Sequence, residues 1–558
     1  MSYSKIFEKL KADSVGIYSG GDGNKSYLTS PIELLSNGRT DEGKQWCKVF
    51  KVTDQDANQH VVKISYDDLN NDQRAALSPL FSNGFSIYEN KEDVLKFLQY
   101  WPTERRSTTV DKVGWHNHSF VTSAYVVGGG SEEINIQDFK HIKPFLSSGT
   151  LDEWLENVAI VAEGNYLLMT GLSASFAAPL LDISKTQNFG IHFHGPSSFG
   201  KTNALKLAAS VWSSPEAYIQ TWRSTGNALE GTGKEHCDIL LGLDEIAQIH
   251  PRHLSEAIYL LGNGITKRRA DKNGEAKQNN TFRTVFLSSG EIPIEQIISQ
   301  AGETLMGGHT VRLLELEADA KSGFGIFSQI FECANSSELV GILSKNLLAY
   351  HGTAGKPYLE YIVQLRRDDE KSFIEKVDSL RTAFKVSCGH SINPQVTRVI
   401  DSFSLVAAGG ELAIEAGCLP FSPGQASHGV LEAYNAWFNA IDRTLPSDDL
   451  RLIEQVRSHF ELYGVTKYSA LTGSEFTKSI EICGYSGEHN GEPVWFVNTA
   501  SFKKELCKNF SQKRAGLILM GKGYLTANSD GSPYVSKNIK GKPGRFYVIR
   551  QTILNSDS

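Results

Sequence analysis

The stretch from Phe189 to Trp212, FGIHFHGPSSFGKTNALKLAASVW, decides how the rest of the chain is read. FGIHF has the apolar content of a buried strand and NALKLAASVW the apolar spacing of a helix; between them, Gly195–Thr202 matches G-x-x-x-x-G-K-[ST] in full. Gly195 and Gly200 allow the backbone angles that turn successive N–H groups toward one anion, and the helix that follows adds the positive end of its dipole. Lys201 is expected to reach the β- and γ-phosphates of a nucleotide and the Thr202 hydroxyl to bind Mg²⁺, with Pro196, Ser197, Ser198 and Phe199 completing the loop. The expected cofactors are therefore ATP and Mg²⁺.

About forty residues on, CDILLGLDEIAQ (Cys237–Gln248) is an apolar strand ending in Asp244-Glu245. Asp244 is expected to hold Mg²⁺ through water and Glu245 to polarise the attacking water. An acidic pair favours the additional-strand ATPases over the GTPases, and no N-K-x-D guanine motif follows the loop. The next strand, TVFLSSGE (Thr284–Glu291), puts Ser288-Ser289 where such enzymes carry a γ-phosphate sensor, and Ser289 is the candidate; a plain serine turn is the alternative. In GGHTVRLLELEAD, Arg312 precedes a further apolar strand and is a candidate to reach a neighbouring subunit's γ-phosphate, against an ordinary surface ion pair. Arg398, on the helix candidate NPQVTRVIDSFSLVAA, is a second sensor candidate with an equally good structural reading.

Between the acidic pair and the sensor lies GNGITKRRADKNGEAKQNNTFRT (Gly262–Thr284). Lys272-Asn273-Gly274 is a hairpin-turn sequence whose arms are polar on both faces, so the ribbon must project from the body. Lys267, Arg268, Arg269 and Lys272 are the candidate DNA-binding residues, since a phosphate backbone needs such a basic element; a solvated loop is the alternative.

The 558 residues carry a net charge of −7, and 40% are apolar, which excludes a disordered, collagen-like or rod-like chain. The charge is uneven: between Lys503 and Arg550 there are eleven Lys/Arg and two acids, a local net of +9, so the remainder carries −16. A basic tail on an acidic body points to phosphate as its partner. Seven scattered cysteines without a C-x-x-C pair argue against disulfides and a zinc ribbon and fit a reducing cytoplasm. The N-terminus lacks a secretory h-region, and Leu167–Leu181 is too short to span a bilayer, so it reads as a buried helix and no membrane contact is expected.

Organisation follows from the breaks. Trp46–Val52 and His60–Tyr66 alternate as strands, KEDVLKFLQYW is an amphipathic helix, and GWHNHSF is a hairpin turning at His116–Asn117 with Trp115 as a packing residue. Thr150 and Glu153 form a capping box that starts an α/β alternation running to about residue 420. Breaks follow at Leu419–Gly429 and Leu445–Ser447. Then comes the amphipathic helix DDLRLIEQVRSHFELYG, with short helices and a terminal hairpin in an order that suits a winged helix. The expected domains are an α+β domain over 1–145, an ATPase domain with a helical lid over 146–425, and a winged-helix domain over 446–552.

The runs GWHNHSF, HGPSSFGKT, TWRSTGNALE, LGLDEIAQ, AIYLLGNGITKRRA and LSSGE resemble a family of P-loop ATPases of mobile genetic elements and prophages that carry a domain of uncharacterised function. The likeness extends to the MCM-like replicative helicases of staphylococcal cassette chromosome elements and covers roughly residues 30 to 550. It implies an AAA+ core within the α/β class, a hexameric ring and 3′-to-5′ movement on single-stranded or forked DNA. It also implies self-association and leaves room for a replication-initiation or primase partner. Two positions depart from the MCM pattern: Ser replaces Asn at the first sensor, and Thr266-Lys267 stands where Gly-Lys is usual. The rival readings are an ATPase switch or clamp that binds nucleic acid without unwinding it, and a helicase–primase, for which the only acidic signal is the lone Asp54-Gln55-Asp56.

Overall fold

The computed structural model describes residues 3–21, 23–40, 43–110, 112–130, 132–136, 145–223, 226–265, 281–303, 305–389, 393–440, 448–471, 482–508, 510–528 and 531–555. Two compact units emerge: Met1–Pro293 with Arg312–Asn435, and Ile294–Val311 with Ala436–Ser558.

In the first unit, the alternating runs near the N-terminus form an antiparallel meander of β1 (Ile32–Arg39), β2 (Cys47–Thr53) and β3 (Gln59–Ser65). The helix α1 (Lys91–Tyr100) buries Val94, Leu95, Phe97 and Leu98 in the core that these strands share. Strand β4 (Arg106–Val110) adds to β1 in parallel. The GWH sequence makes the hairpin β5 (Gly114–His116) and β6 (Ser119–Val121), and β7 (Glu133–Ile136) then joins β4. The hairpin turns at Asn117-His118, one residue later than its sequence indicates, because Asn117 takes the left-handed conformation (φ 54°) that the tight turn requires.

The capping box at Thr150 and Glu153 starts α2 (Leu151–Asn157), and the apolar run becomes α3 (Tyr166–Ala177), buried from Leu167 onward. Strand β8 (Phe189–His194) leads through the glycine loop into α4 (Lys201–Ala209). Next come β9 (Gln220–Thr221), α5 (Gly226–Glu235), β10 (Leu240–Asp244), α6 (Pro251–Asn263), β11 (Val285–Gly290) and β12 (Leu313–Glu317). These strands form one parallel sheet in the order β9-β10-β11-β8-β12. Every residue of β11 is buried, as expected of a parallel strand covered on both faces. Two long helices, α7 (Gly355–Ser387) and α8 (Pro394–Glu415), complete the unit, α7 breaking at the non-helical Asp369. The break expected at Leu419–Gly429 is a short turn that leads directly into α9 (Gln425–Ala440).

An ion network centred on the buried Asp238 ties the hairpin of β5 and β6 to the parallel sheet. Asp238, fully buried just before β10, accepts two hydrogen bonds from Arg283 at 2.6 and 2.7 Å and one from the Trp115 backbone N–H at 3.0 Å. Arg283 also pairs with Asp182 (3.0 Å), Asp182 with Arg366 (2.7 Å), and the Arg366 guanidinium lies 4.4 Å over the Trp115 ring. The indole N–H of Trp115 donates to Pro179 O at 2.7 Å, so Trp115 is the packing residue its sequence context indicates. Gly114 is required here: its φ is +103°, and a Cβ would come within 2.4 Å of the Asp238 carboxylate.

The second unit contains α10 (Asp448–Tyr463) and a sheet of β13 (Tyr468–Ala470), β14 (Gly484–His489), β15 (Glu492–Asn498), β16 (Val535–Ile539) and β17 (Lys542–Arg550), ordered β13-β14-β15-β17-β16. The helix α11 (Gln512–Gly521) lies in sequence between β15 and β16. Leu452, Val456 and Phe460 of α10 enter its core, where Phe460 stacks on Trp495 at 4.0 Å. The terminal hairpin is present as β16 and β17. The hairpin of β14 and β15 was not expected, although its turn, Asn490-Gly491 with φ of 52° and 80°, is a strong hairpin signal.

The network predicts a penalty for removing one member. Asp238→Ala takes the nearest partner from Arg283, which keeps Asp182 and some exposure to solvent, and should lower unfolding free energy by about 1.5–3 kcal/mol. Chemical denaturation of the two proteins tests this, and a loss below about 1 kcal/mol would show that the network contributes little.

Candidate functional site

The site lies at the C-terminal edge of the parallel sheet. The loop follows β8 and the acidic pair ends β10; β11 runs between them, which sets the two strands about 10 Å apart. The loop has the backbone its glycines foreshadow: φ is +146° at Gly195, +69° at Ser198 and +89° at Gly200. It is held from outside by Phe199 O, which accepts the Ile326 N–H at 2.9 Å, and by the Gly195 N–H, which donates to Gly290 O at 3.2 Å.

Lys201 is almost buried, and its ammonium donates to Gly195 O at 2.8 Å and Pro196 O at 2.7 Å, folded back on its own loop. Burial lowers its pKa from the usual lysine value, opposed by the nearby carboxylates of Glu291, Glu245 and Asp244 in that order. The Thr202 hydroxyl lies 3.3 and 3.5 Å from the two Asp244 oxygens. Hard oxygen donors of this kind beside an anion cradle fit Mg²⁺, which takes one or two protein oxygens and completes its shell with phosphate and water. Among the described residues no group of three or more His, Cys, Asp or Glu side chains forms a metal cluster.

Ser289 is engaged differently from a free sensor. Its hydroxyl donates to the Asp244 carboxylate and accepts the backbone N–H of Glu245 at 3.1 Å, so it fixes both members of the acidic pair. Glu245 itself sits in the left-handed region, at φ 59° and ψ 75°. Ser288 points to the other face of β11, where it accepts from the Trp222 indole N–H at 2.9 Å and hydrogen-bonds with His192 Nδ1 at 2.9 Å. Sequence reading assigned nothing to His192, Trp222 or Glu291. The signal for His192 is a polar residue inside an apolar strand, and that for Glu291 is an acid directly after the serine pair.

Arg312 is at the far end of the sheet. It immediately precedes β12, whose first residue pairs with Gly190 near the start of β8, so it is about 15 Å from the loop of its own chain. Its guanidinium lies 4.8 Å over the Tyr259 ring and donates to Asn263 Oδ1 at 3.0 Å. Arg398 is exposed in the second turn of α8; one turn further on, Asp401 meets Arg381 and Thr186, which precedes β8. The structure therefore does not bring Arg398 to the loop. Lys267, Arg268, Arg269 and Lys272 lie outside the described residues. In the tail, Lys513 and Arg514 of α11 and Lys540 at the hairpin turn are exposed.

The fold is thus that of an α/β protein with a parallel sheet. The family described as a domain of unknown function (DUF927) matches residues 13–281. The solved structure titled "SCCmec type IV Cch - active helicase" is similar over 98% of this chain and 99% of that one, with a TM-score of 0.66 at 16% identity, a likeness of fold. The apo NrS-1 C-terminal region is 10% identical over 72% of this chain and 92% of that one, with a TM-score of 0.26. No curated protein matches the sequence.

The environment of His192 predicts a pH dependence. Burial, and then the adjacent His194, hold its pKa down to about 3 against 6.5 in the unfolded chain. The unfolded state then binds the proton first as pH falls, so the contribution to stability is complete above 6.5 and is lost on acidification toward 3. Between pH 7 and 5 this one group should cost about 2 kcal/mol. Between pH 7 and 5 the unfolding free energy from urea titrations should fall by about that much more for the wild type than for His192→Asn. An equal fall in the two proteins would mean that His192 titrates normally in the folded protein.

Proposed function

We propose that this chain is an ATP-driven DNA helicase of the AAA+ type that works as a ring, hexameric and 3′-to-5′ in the MCM manner, in the replication of a mobile element. The observation that carries this reading is the meeting of Lys201 and Thr202 with Asp244 and Glu245 at one edge of a parallel sheet. The sheet order, with one strand inserted between the cradle strand and the acidic strand, supports it, as does the likeness of fold to an active helicase. The proposed domains are an N-terminal α+β domain over 1–145, an ATPase domain over 146–425 and a winged-helix domain over 446–552.

In this reading Lys201 turns from its loop carbonyls to the phosphates, an exchange of neutral acceptors for charged ones that favours the bound state. Thr202, and Asp244 through water, would hold Mg²⁺, which would neutralise charge on the phosphates. Glu245 orients the attacking water and takes up its proton, while Ser289 keeps Asp244 and Glu245 in register as a positioning residue. Arg312, too far from its own loop, acts on the nucleotide of the next subunit and stabilises charge in the transition state. The basic residues of the 266–280 segment and the tail contact DNA phosphates.

Lys201→Ala should lose nucleotide binding, while Glu245→Gln should keep binding and lose turnover, because Lys201 acts in the ground state and Glu245 on the water. Unwinding of a forked duplex should follow the wild type alone. Hydrolysis without unwinding would favour a nucleic-acid switch or clamp. Arg312→Ala subunits, inactive alone, should regain hydrolysis when mixed with Lys201→Ala subunits; no recovery in confirmed mixed assemblies would place Arg312 outside the site.

A further inference from the structure

We propose that Glu291 is a built-in competitor for the terminal phosphate of the nucleotide: its carboxylate bonds to the cradle loop and must leave when a triphosphate enters. This rests on the reading of the cradle as an ATP site and names how that site distinguishes triphosphate from diphosphate.

Glu291 is the first residue after β11, the strand that runs between the cradle strand and the acidic strand. Its side chain therefore begins at the edge where the terminal phosphate must lie, between Lys201 on one side and Asp244 and Glu245 on the other. The carboxylate accepts a hydrogen bond from the Ser197 hydroxyl, a residue of the loop itself. It is also the acidic group that acts most strongly on Lys201, ahead of both members of the acidic pair. The peptide beside it is fixed, because Gly290 O takes the Gly195 N–H.

A carboxylate that takes a loop hydroxyl and faces the loop lysine does what a phosphate oxygen would do in the same place. Two anions cannot share that place. A diphosphate leaves the position between the cradle and the acidic pair vacant, and Glu291 can keep it. A triphosphate has to break the Ser197 contact and move the carboxylate against its own negative charge. Glu291 is exposed, so its replacement does not threaten the core.

The test is equilibrium binding of Mg·ADP and of the Mg complex of adenylyl imidodiphosphate to the full chain, wild type and Glu291→Gln, with thermal unfolding to show that both are folded. Glu291→Gln should bind the triphosphate analogue about three- to tenfold more tightly, the range expected for removing one partly screened like charge, and ADP within about twofold of wild type. Unchanged or weaker binding of the analogue would overturn the proposal. Equal tightening of both nucleotides would overturn it too, since only a general charge effect would remain. A wild type that binds neither nucleotide would overturn the ATP-site reading and this one with it. Wild-type binding combined with an indifferent Glu291→Gln defeats only the latter.

Discussion

The contact on which the site depends is the one between the Asp244 carboxylate and the Thr202 and Ser289 hydroxyls. It joins three segments that are far apart in sequence, and it exists because β11 runs between β8 and β10 in a parallel sheet. A parallel arrangement delivers the C-terminal ends of all three strands to one edge, where backbone N–H groups, a lysine and carboxylates can face a common space. With an antiparallel neighbour, Ser289 would lie at the opposite edge and Asp244 would lose the group that orients it. Within the site several polar groups bond to one another. Lys201 rests on loop carbonyls, Ser197 on Glu291, and Asp244 on two hydroxyls.

The second constraint is at the other end of the acidic strand. Asp238 begins the run into β10 while bonded to Arg283 and Trp115, so the strand that carries the acidic pair is anchored to the N-terminal hairpin as well as to the sheet. Arg283 follows the segment 266–280 by three residues and precedes β11 by two. A bidentate ion pair to the buried Asp238 thus stands at the head of the strand bearing Ser288 and Ser289. This gives the GWH sequence a physical reason: the glycine admits the carboxylate, and the indole packs under Arg366.

Much of this was legible in the sequence because the decisive elements are local. The loop from Gly195 to Thr202 is one uninterrupted motif, and the strands on either side of Asp244 and Ser289 are apolar runs with polar ends. The amphipathic faces of Lys91–Tyr100 and Asp448–Tyr463 were equally plain. The second role of Ser289 was not, since it depends on the order of strands in the sheet. The pairing of Asp238 with Arg283 was hidden for the same reason. The hairpin at Asn490-Gly491 carried its turn signal in full, but its first strand, GYSGEH, is too polar and too little buried to show an apolar alternation. The basic hairpin residues from Lys267 to Lys272 lie outside the described residues, so their expected role stands on the sequence alone.

The most direct test of the account is an electron cryomicroscopy structure of the full chain with the Mg complex of adenylyl imidodiphosphate and a forked DNA. The account predicts a closed ring with the analogue seated on Gly195–Thr202 of one subunit, flanked by its own Asp244 and Glu245 and by Arg312 of the next, and DNA in the pore. Isolated monomers with the analogue bound and Arg312 facing solvent would contradict it.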